Sequence, residues 1–247
     1  SARIARARRG HWLGALPALA SCLYEHALFT GDTAHALQVH RMAVRFALDL
    51  LVTGPDDELI ASPSAAPGQT LRGTARVAAG STIDREVIAE VFEHYLSLAG
   101  EQPCGLDAAL VPQVRDALGR LAPVPVVDGL IAQWPERWAG APSAGSDSLP
   151  QLYGLFPGRR INHTDPTMLD AARRTLDAEI SRGAGRTAAG QARILAMAAR
   201  LGDEVLATRA LIRLTGPLSS ASLLALGREP QMPGAVLQLP ASLVLPG

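Results

Sequence analysis

No lysine occurs in these 247 residues, so all 23 basic side chains are arginine. With so much alanine present, this reads as biased base composition and not as a functional signal. The arginines are balanced by 23 carboxylates, and no net field draws the chain to nucleic acid or to an acidic membrane. Aromatic residues are only 4% of the chain, thin for a pocket that stacks sugars or bases. There are two cysteines, Cys22 and Cys104, in different segments and at no metal-binding spacing. Each reads as a buried free thiol, with a disulfide as the alternative. No apolar run reaches the roughly 18 residues that a membrane helix needs. The opening SARIARARRGHW has neither Met nor a signal-peptide pattern, and reads as an entry into the middle of something larger. Localisation stays open between cytoplasmic and secreted. No glycine-rich phosphate loop, CxxC, HExxH or GxSxG occurs, and neither metal nor cofactor is expected.

What is present is helical periodicity and enough apolar residues, 48%, for a substantial core. Leu16, Leu19, Leu23 and Ala27 fall at spacings of three and four, which predicts a helix over 16–29 with that face inward. Gly31 suits its left-handed cap, and Asp32 or Thr33 caps the next helix, about 33–53. That helix carries Leu37, Val44, Leu48 and Leu51, widened by Met42 and Phe46, and stops at Gly54-Pro55.

A third helix starts at Ser81 or Thr82 with Val87, Val91, Leu96 and Leu98 on its apolar side. A fourth spans about 107–121, with Leu110, Val111, Val114, Leu118 and Leu121. Residues 122–151 read as a long irregular connection around Trp134 and Trp138. Asp165-Pro166 opens a helix with the stripe Leu169, Ala172, Leu176 and Ile180. Helices follow at about 187–201 and 203–214, then a short one near 218–226. The tail GAVLQLPASLVLPG reads as strand or extended chain.

The fold expected is therefore all-α, with helical hairpins forming part of a toroid or solenoid. This helical domain is expected over 1–230, followed by the start of a C-terminal β segment over 231–247.

Between the second and third helices lies IASPSAAPGQTL, residues 60–71, with two prolines and no charge. Other phrases are LYEHALFTGD (23–32), ALDLLV (47–52), TIDREVIAEVF (82–92), LYGLFPGRRI (152–161), AARRTLDAE (171–179) and ARLGDE (199–204), of which LYEHALFTGD and LYGLFPGRRI are the most distinctive. In this order and spacing the chain resembles glycoside hydrolase family 95, the α-L-fucosidase-like enzymes, some of which act on α-L-galactosides. The resemblance implies an (α/α)6-barrel catalytic domain flanked by β domains. It also implies inverting hydrolysis, in which a glutamic acid protonates the leaving oxygen and a water held by asparagines attacks the opposite face. Inversion needs the two groups about 6.5–9.5 Å apart across the sugar.

Carried over position by position, the family's PSxSPEN loop falls on Pro63 to Gln69. Both prolines and the first serine match, while the acid's position is Gly68, which has no proton to give. The HRHxSHL phrase falls on Ser146 to Leu152 with all three histidines replaced, leaving Asp147 as the one carboxylate there. The TGWSxAW phrase falls on Thr187 to Arg193 without either tryptophan. In the EW pair the glutamate is Gln133 and Trp134 remains; Asp84 keeps the aspartate of the TMD phrase. The asparagine pair and the DGNFG phrase have no counterpart in this chain.

The resemblance thus leaves no intact catalytic set. Asp84 and Asp147 are weak catalytic candidates, and Trp12, Glu25, His26, Asp84, Gln133 and Trp134 are candidates to bind substrate. Each has a plainer reading. Glu25 and His26 suit the polar side of a helix end, Asp84 a helix first turn, and Trp12, Trp134 and Tyr153 a core. His163 suits a surface loop, and Arg159-Arg160 a solvated turn. Partners implied are a fucosylated or galactosylated glycan, and β domains or a second copy over an exposed apolar edge. Three roles follow: a family member of absent or very low activity, a non-catalytic glycan- or partner-binding derivative, or a purely structural helical domain.

Overall fold

The computed structural model describes residues 12–64, 78–101, 107–135, 146–220, 222, 224 and 225. The chain divides into two units: residues 1–127 with 131–141, and residues 128–130 with 142–247. Among the described residues there are seven α-helices and two small two-stranded sheets, a mostly α fold. None of these helices is long and apolar enough to cross a membrane.

In the first unit, α1 (Ala15–Thr30) ends at Gly31, whose φ of 77° is the left-handed cap expected there. Asp32 then caps α2 (Thr33–Leu50), accepting from His35 N at 3.4 Å. α2 stops three residues earlier than its apolar pattern predicts. Leu51–Thr53 forms strand β1, paired antiparallel with β2 (Leu59–Ala61) in the register Leu51↔Ala61, Val52↔Ile60 and Thr53↔Leu59. The turn Gly54-Pro55-Asp56-Asp57 closes this hairpin, and β-branched Val52 and Thr53 suit the extended ladder.

Helix α3 (Thr82–Glu101) packs against α1, α2, α4 and β2, and is buried nearly all round. Its Ile88, Val91, Phe92, Tyr95 and Leu98 form the centre of the core. α4 (Leu110–Arg120) buries Leu110 and Val114 of the predicted stripe, with Leu121 just beyond its end. Val111 and Leu118 are half-buried, and Ala117, outside that stripe, is buried. A buried ionic network ties three elements together here. Arg41 on α2 donates from Nε and Nη2 to Asp107 (2.8 and 2.6 Å), and Tyr95 on α3 donates to Asp107 Oδ1 at 2.7 Å. Burial, with the neighbouring Asp107 carboxylate, pushes the Tyr95 hydroxyl up from its ordinary value.

The contact of α1 departs from expectation. Leu16 and Leu19 are exposed, Leu19 at 66%, whereas Pro17, Ala20 and Ala27 are buried. Leu16, Leu19 and Leu23 border the Ala20–Tyr24–Ala27 line on the helix surface, so the apolar arc is wider than one contact. Alanines at Ala20, Ala27, Ala36, Ala43 and Ala47 fill the core where α1, α2 and α3 meet. Small side chains let helix backbones approach closely, which favours the alanine line over the leucines. Met42 is likewise exposed instead of widening the buried stripe of α2, and Cys22 is an exposed free thiol instead of a buried one. Cys104 and Trp138 lie outside the described residues.

The connection after α4 is less irregular than its composition predicts. Val126–Val127 (β3) and Leu130–Ile131 (β4) form a hairpin across Asp128 and Gly129, both at positive φ (52° and 76°). Asp-Gly is the favoured pair for such a turn.

In the second unit, a 3-10 turn (Pro150–Leu152) leads into the buried stretch to Phe156. Asp165 caps α5 (Pro166–Ser181), accepting from Met168 N at 3.0 Å, with Pro166 at its first position. Thr187 caps α6 (Ala188–Leu201), which ends at Gly202, and Asp203 caps α7 (Glu204–Thr215). No helix follows at 218–226 among the described residues. Gly216-Pro217 breaks the pattern, and Ser219 and Ala225 form an antiparallel bridge. The tail from 231 lies outside the described residues.

Candidate functional site

Asp84 organises the residues of the first unit that sequence reasoning singled out. It sits in the first turn of α3, only 3% exposed. Ser81, three residues earlier, accepts from the Asp84 N–H at 3.3 Å, the spacing and bond of a capping box. The carboxylate faces inward. Trp12 Nε1 donates to Oδ1 at 2.6 Å, and Ser81 Oγ donates to Oδ2 at 2.9 Å. Ser64 Oγ also donates to Oδ2, and accepts from Ser81 N at 3.2 Å. Among the described residues these three donors hydrogen-bond the buried carboxylate, which offsets part of its lost hydration. Gly14 is required beside them, since a Cβ there would lie 2.6 Å from the Trp12 ring and 2.7 Å from Asp84 Oδ1.

Ser64 links this cluster to the loop read as the acid-bearing segment. Its backbone N–H and C=O pair with those of Ala78 at 2.8 Å each, closing the neck of the excursion 65–77. Gly68 and the rest of that loop lie outside the described residues. Gln133 and Trp134 join from the other side. Thr82 N donates to Gln133 O at 2.9 Å, and Thr82 Oγ1 donates to Ala132 O at 2.6 Å. The side-chain Nε2 of Gln133 and Nε1 of Trp134 are buried and have no hydrogen-bond partner among the described residues. Trp12, Ser64, Ser81, Asp84, Gln133 and Trp134 therefore converge on the N-terminal end of α3.

Glu25 and His26 do not join them. They lie at the far end of α1, about 16 Å from Gly14 by the helical rise, and His26 is exposed, its carbonyl accepting from Thr30 Oγ1 at 2.8 Å. A narrow cavity under the first hairpin, lined in part by Ile60, Thr82, Arg85 and Leu121, has a volume of about 20 Å³. It admits a single water and no sugar ring.

Asp147, in the second unit, is a fully engaged anchor. Oδ1 accepts from Gly185 N (2.5 Å) and Arg186 N (3.1 Å), and Oδ2 from Thr187 N (2.9 Å) and Thr187 Oγ1 (2.7 Å). This is a carboxylate in the N–H nest ahead of α6. Burial alone would push the carboxyl up, but the Thr187 hydroxyl and the three N–H groups outweigh it and hold the pKa below the ordinary value. Gly190 lets it fit, because a Cβ there would lie 2.6 Å from Asp147 Cγ. Tyr153 is buried, and His163 is exposed.

Sequence reasoning missed the partners Ser64 and Ser81, although Ser81-Thr82-Ile83-Asp84 carries the capping-box spacing. It also missed two buried carboxylates on α3: Glu86, paired with Arg85, and Glu90, which accepts from Ser21 Oγ at 3.0 Å. Nothing in an Ala-rich helical stretch marks those two as buried.

The mostly α fold is consistent with a helical glycosidase domain. The model of the glycosyl hydrolase family 95 catalytic domain matches residues 1–229, and the chain belongs to that family. Glycosidic-bond hydrolysis is the family's class of reaction, and a glycan its kind of substrate. No curated protein matches the chain.

Proposed function

We propose that this chain is an α-L-fucosidase-like domain that recognises terminal α-L-fucosyl or α-L-galactosyl groups and turns them over very slowly or not at all. One observation carries the reading: the loop that aligns with the family's acid-bearing segment keeps Pro63 and Ser64 but has Gly68 where the proton donor would stand. Its neck is held by Ser64 bonded to Ala78 and Asp84. Departure of the leaving oxygen needs a proton at that place, and a carboxylic acid with raised pKa is the group that supplies it. The two surviving carboxylates do not substitute readily. Asp147 accepts four hydrogen bonds that hold its pKa below the ordinary value, favouring the ionised form that cannot protonate a leaving group. Asp84 is enclosed by Trp12, Ser64 and Ser81.

Recognition would rest on the polar atoms near the start of α3. The buried donors Gln133 Nε2 and Trp134 Nε1 are groups that sugar hydroxyls satisfy. The test pairs turnover with binding. An aryl α-L-fucoside should be hydrolysed no faster than in buffer, while a fucosylated oligosaccharide binds in calorimetry and Gln133→Leu weakens it. Turnover that Asp84→Asn or Asp147→Asn abolishes would overturn the proposal, because chemistry would then have moved to a surviving carboxylate. Absence of glycan binding would leave the helical scaffold reading, which the exposed apolar side chains of α1 favour.

A further inference from the structure

Apolar exposure is uneven along the described helices. α3, α4, α5 and α6 leave no large apolar side chain in solvent, whereas α7 leaves Val205 at 69%, Ile212 at 63% and Leu211 at 47%. α7 packs on α6, and Ala210 is its one buried residue. A second apolar side on a helix, beyond the one packed on its main neighbour among the described residues, is the usual mark of an interaction surface.

We propose that this face of α7 seats the chain's own C-terminal segment, residues 234–247. Directly after α7 the chain reverses: Ser219 and Ala225 bridge antiparallel, and Ser220 N donates to Leu224 O at 2.8 Å. At Ala225 the chain thus runs antiparallel to Ser219, the segment that leaves the helix. From Pro230 to Gly247 it carries no charged residue, so lying on an apolar face buries no unpaired charge. Leu237 and Leu239, and again Leu243 and Leu245, stand two apart, the period that puts alternate side chains on one face of an extended segment. Pro240 and Pro246 exclude a continuous helix there. The reach suffices: α7 is about 18 Å long by its rise per residue, and residues 235–245 extended cover about 36 Å.

Hydrogen–deuterium exchange on the full chain tests this. Amides of 236–245 should exchange about tenfold or more slowly than in a free chain, at a rate independent of protein concentration. In the double variant Val205→Asp/Ile212→Asp that protection should vanish while α6 keeps its own. Leu243→Asp reaches the same contact from the tail without altering a helix, and should free 236–245 equally. Free-chain exchange in the unaltered protein overturns the proposal. So does protection that rises with concentration, which makes a second copy the occupant, or protection that survives Leu243→Asp and the helix variant, which seats the tail elsewhere.

Discussion

The indole N–H of Trp12 donates to Oδ1 of Asp84 at 2.6 Å, tying the residue ahead of α1 to the first turn of α3, 72 positions on. With the Ser64 and Ser81 hydroxyls on Oδ2, the carboxylate serves as the acceptor for three donors from separate parts of the chain.

Asp84→Asn keeps the shape but turns one acceptor into an NH2 that faces a donor. Leaving a buried donor unsatisfied costs about 1–3 kcal/mol. Denaturant melts should show a loss of that size, and tryptophan emission should shift to the red as Trp12 loses its partner. Unchanged stability would show that Asp84 is dispensable to the neck of the 65–77 loop.

Gly190→Ala should force Asp147 out of the N–H groups of Gly185, Arg186 and Thr187, because the added Cβ has no room beside its carboxylate. Overpacking of this kind costs about 1–3 kcal/mol. The pH dependence follows from the sign of the shift. Asp147 titrates below its unfolded value of about 3.9, so its contribution is full above that pH and is lost as the pH falls through the lower folded value. Asp147→Asn should therefore lower stability near neutrality and flatten the acid limb below about pH 4; urea melts across that range measure both.

His40 gives a second pH signature. The ring is fully buried, its Nδ1 lies 2.7 Å from Ala36 O, and its Nε2 has no partner among the described residues. It stands edge-on to Tyr24 and His94, which are stacked on each other at 3.8 Å. Burial lowers its pKa, against the hydrogen bond to Ala36, which raises it. Between that lowered value and about 6.5 the unfolded chain holds more protons, so stability falls as the pH drops through this window. His40→Gln should reduce the slope of stability against pH between that lowered value and about 6.5. A slope unchanged by the substitution would assign the effect to another group.

Arg200 clamps the turn that carries LFPG. Its Nη1 donates to Leu155 O at 2.8 Å and to Gly158 O, its Nη2 to Pro157 O at 3.4 Å, and its Cζ lies 5.2 Å over the Phe156 ring. Arg200→Met should cost about 2–3 kcal/mol, since hydrogen bonds to a charged group are the stronger kind. Arg200→Lys should recover little of it, because an ammonium cannot present the planar fork. Thermal melts of the two variants check the order.

The helices α2 to α7 were legible because periodic apolar residues and caps are local signals. Asp165 before Pro166 announces α5, and the glycines at 31 and 202 end their helices at left-handed φ. The strand at Leu51–Thr53 was less legible, since a three-residue apolar run continues a helical stripe as well as it starts a ladder. The candidate site was legible in its residue types but not in its pairings. Asp84 stood out from its phrase, whereas Ser64, Ser81 and Trp12 as its donors did not, because a hydrogen bond across 20 or 72 positions leaves no local trace.

By itself the sequence determined a helical chain, its caps, its place in family 95 and the absence of an acid side chain at Gly68. These depend on neighbouring residues and on aligned phrases. Tertiary structure alone decided that α1 buries its alanines and leaves Leu16 and Leu19 in water, that Asp84 binds Trp12, and that Asp147 anchors the start of α6. Which side of a helix is covered, and which carboxylate is bonded, depends on what distant segments bring to it.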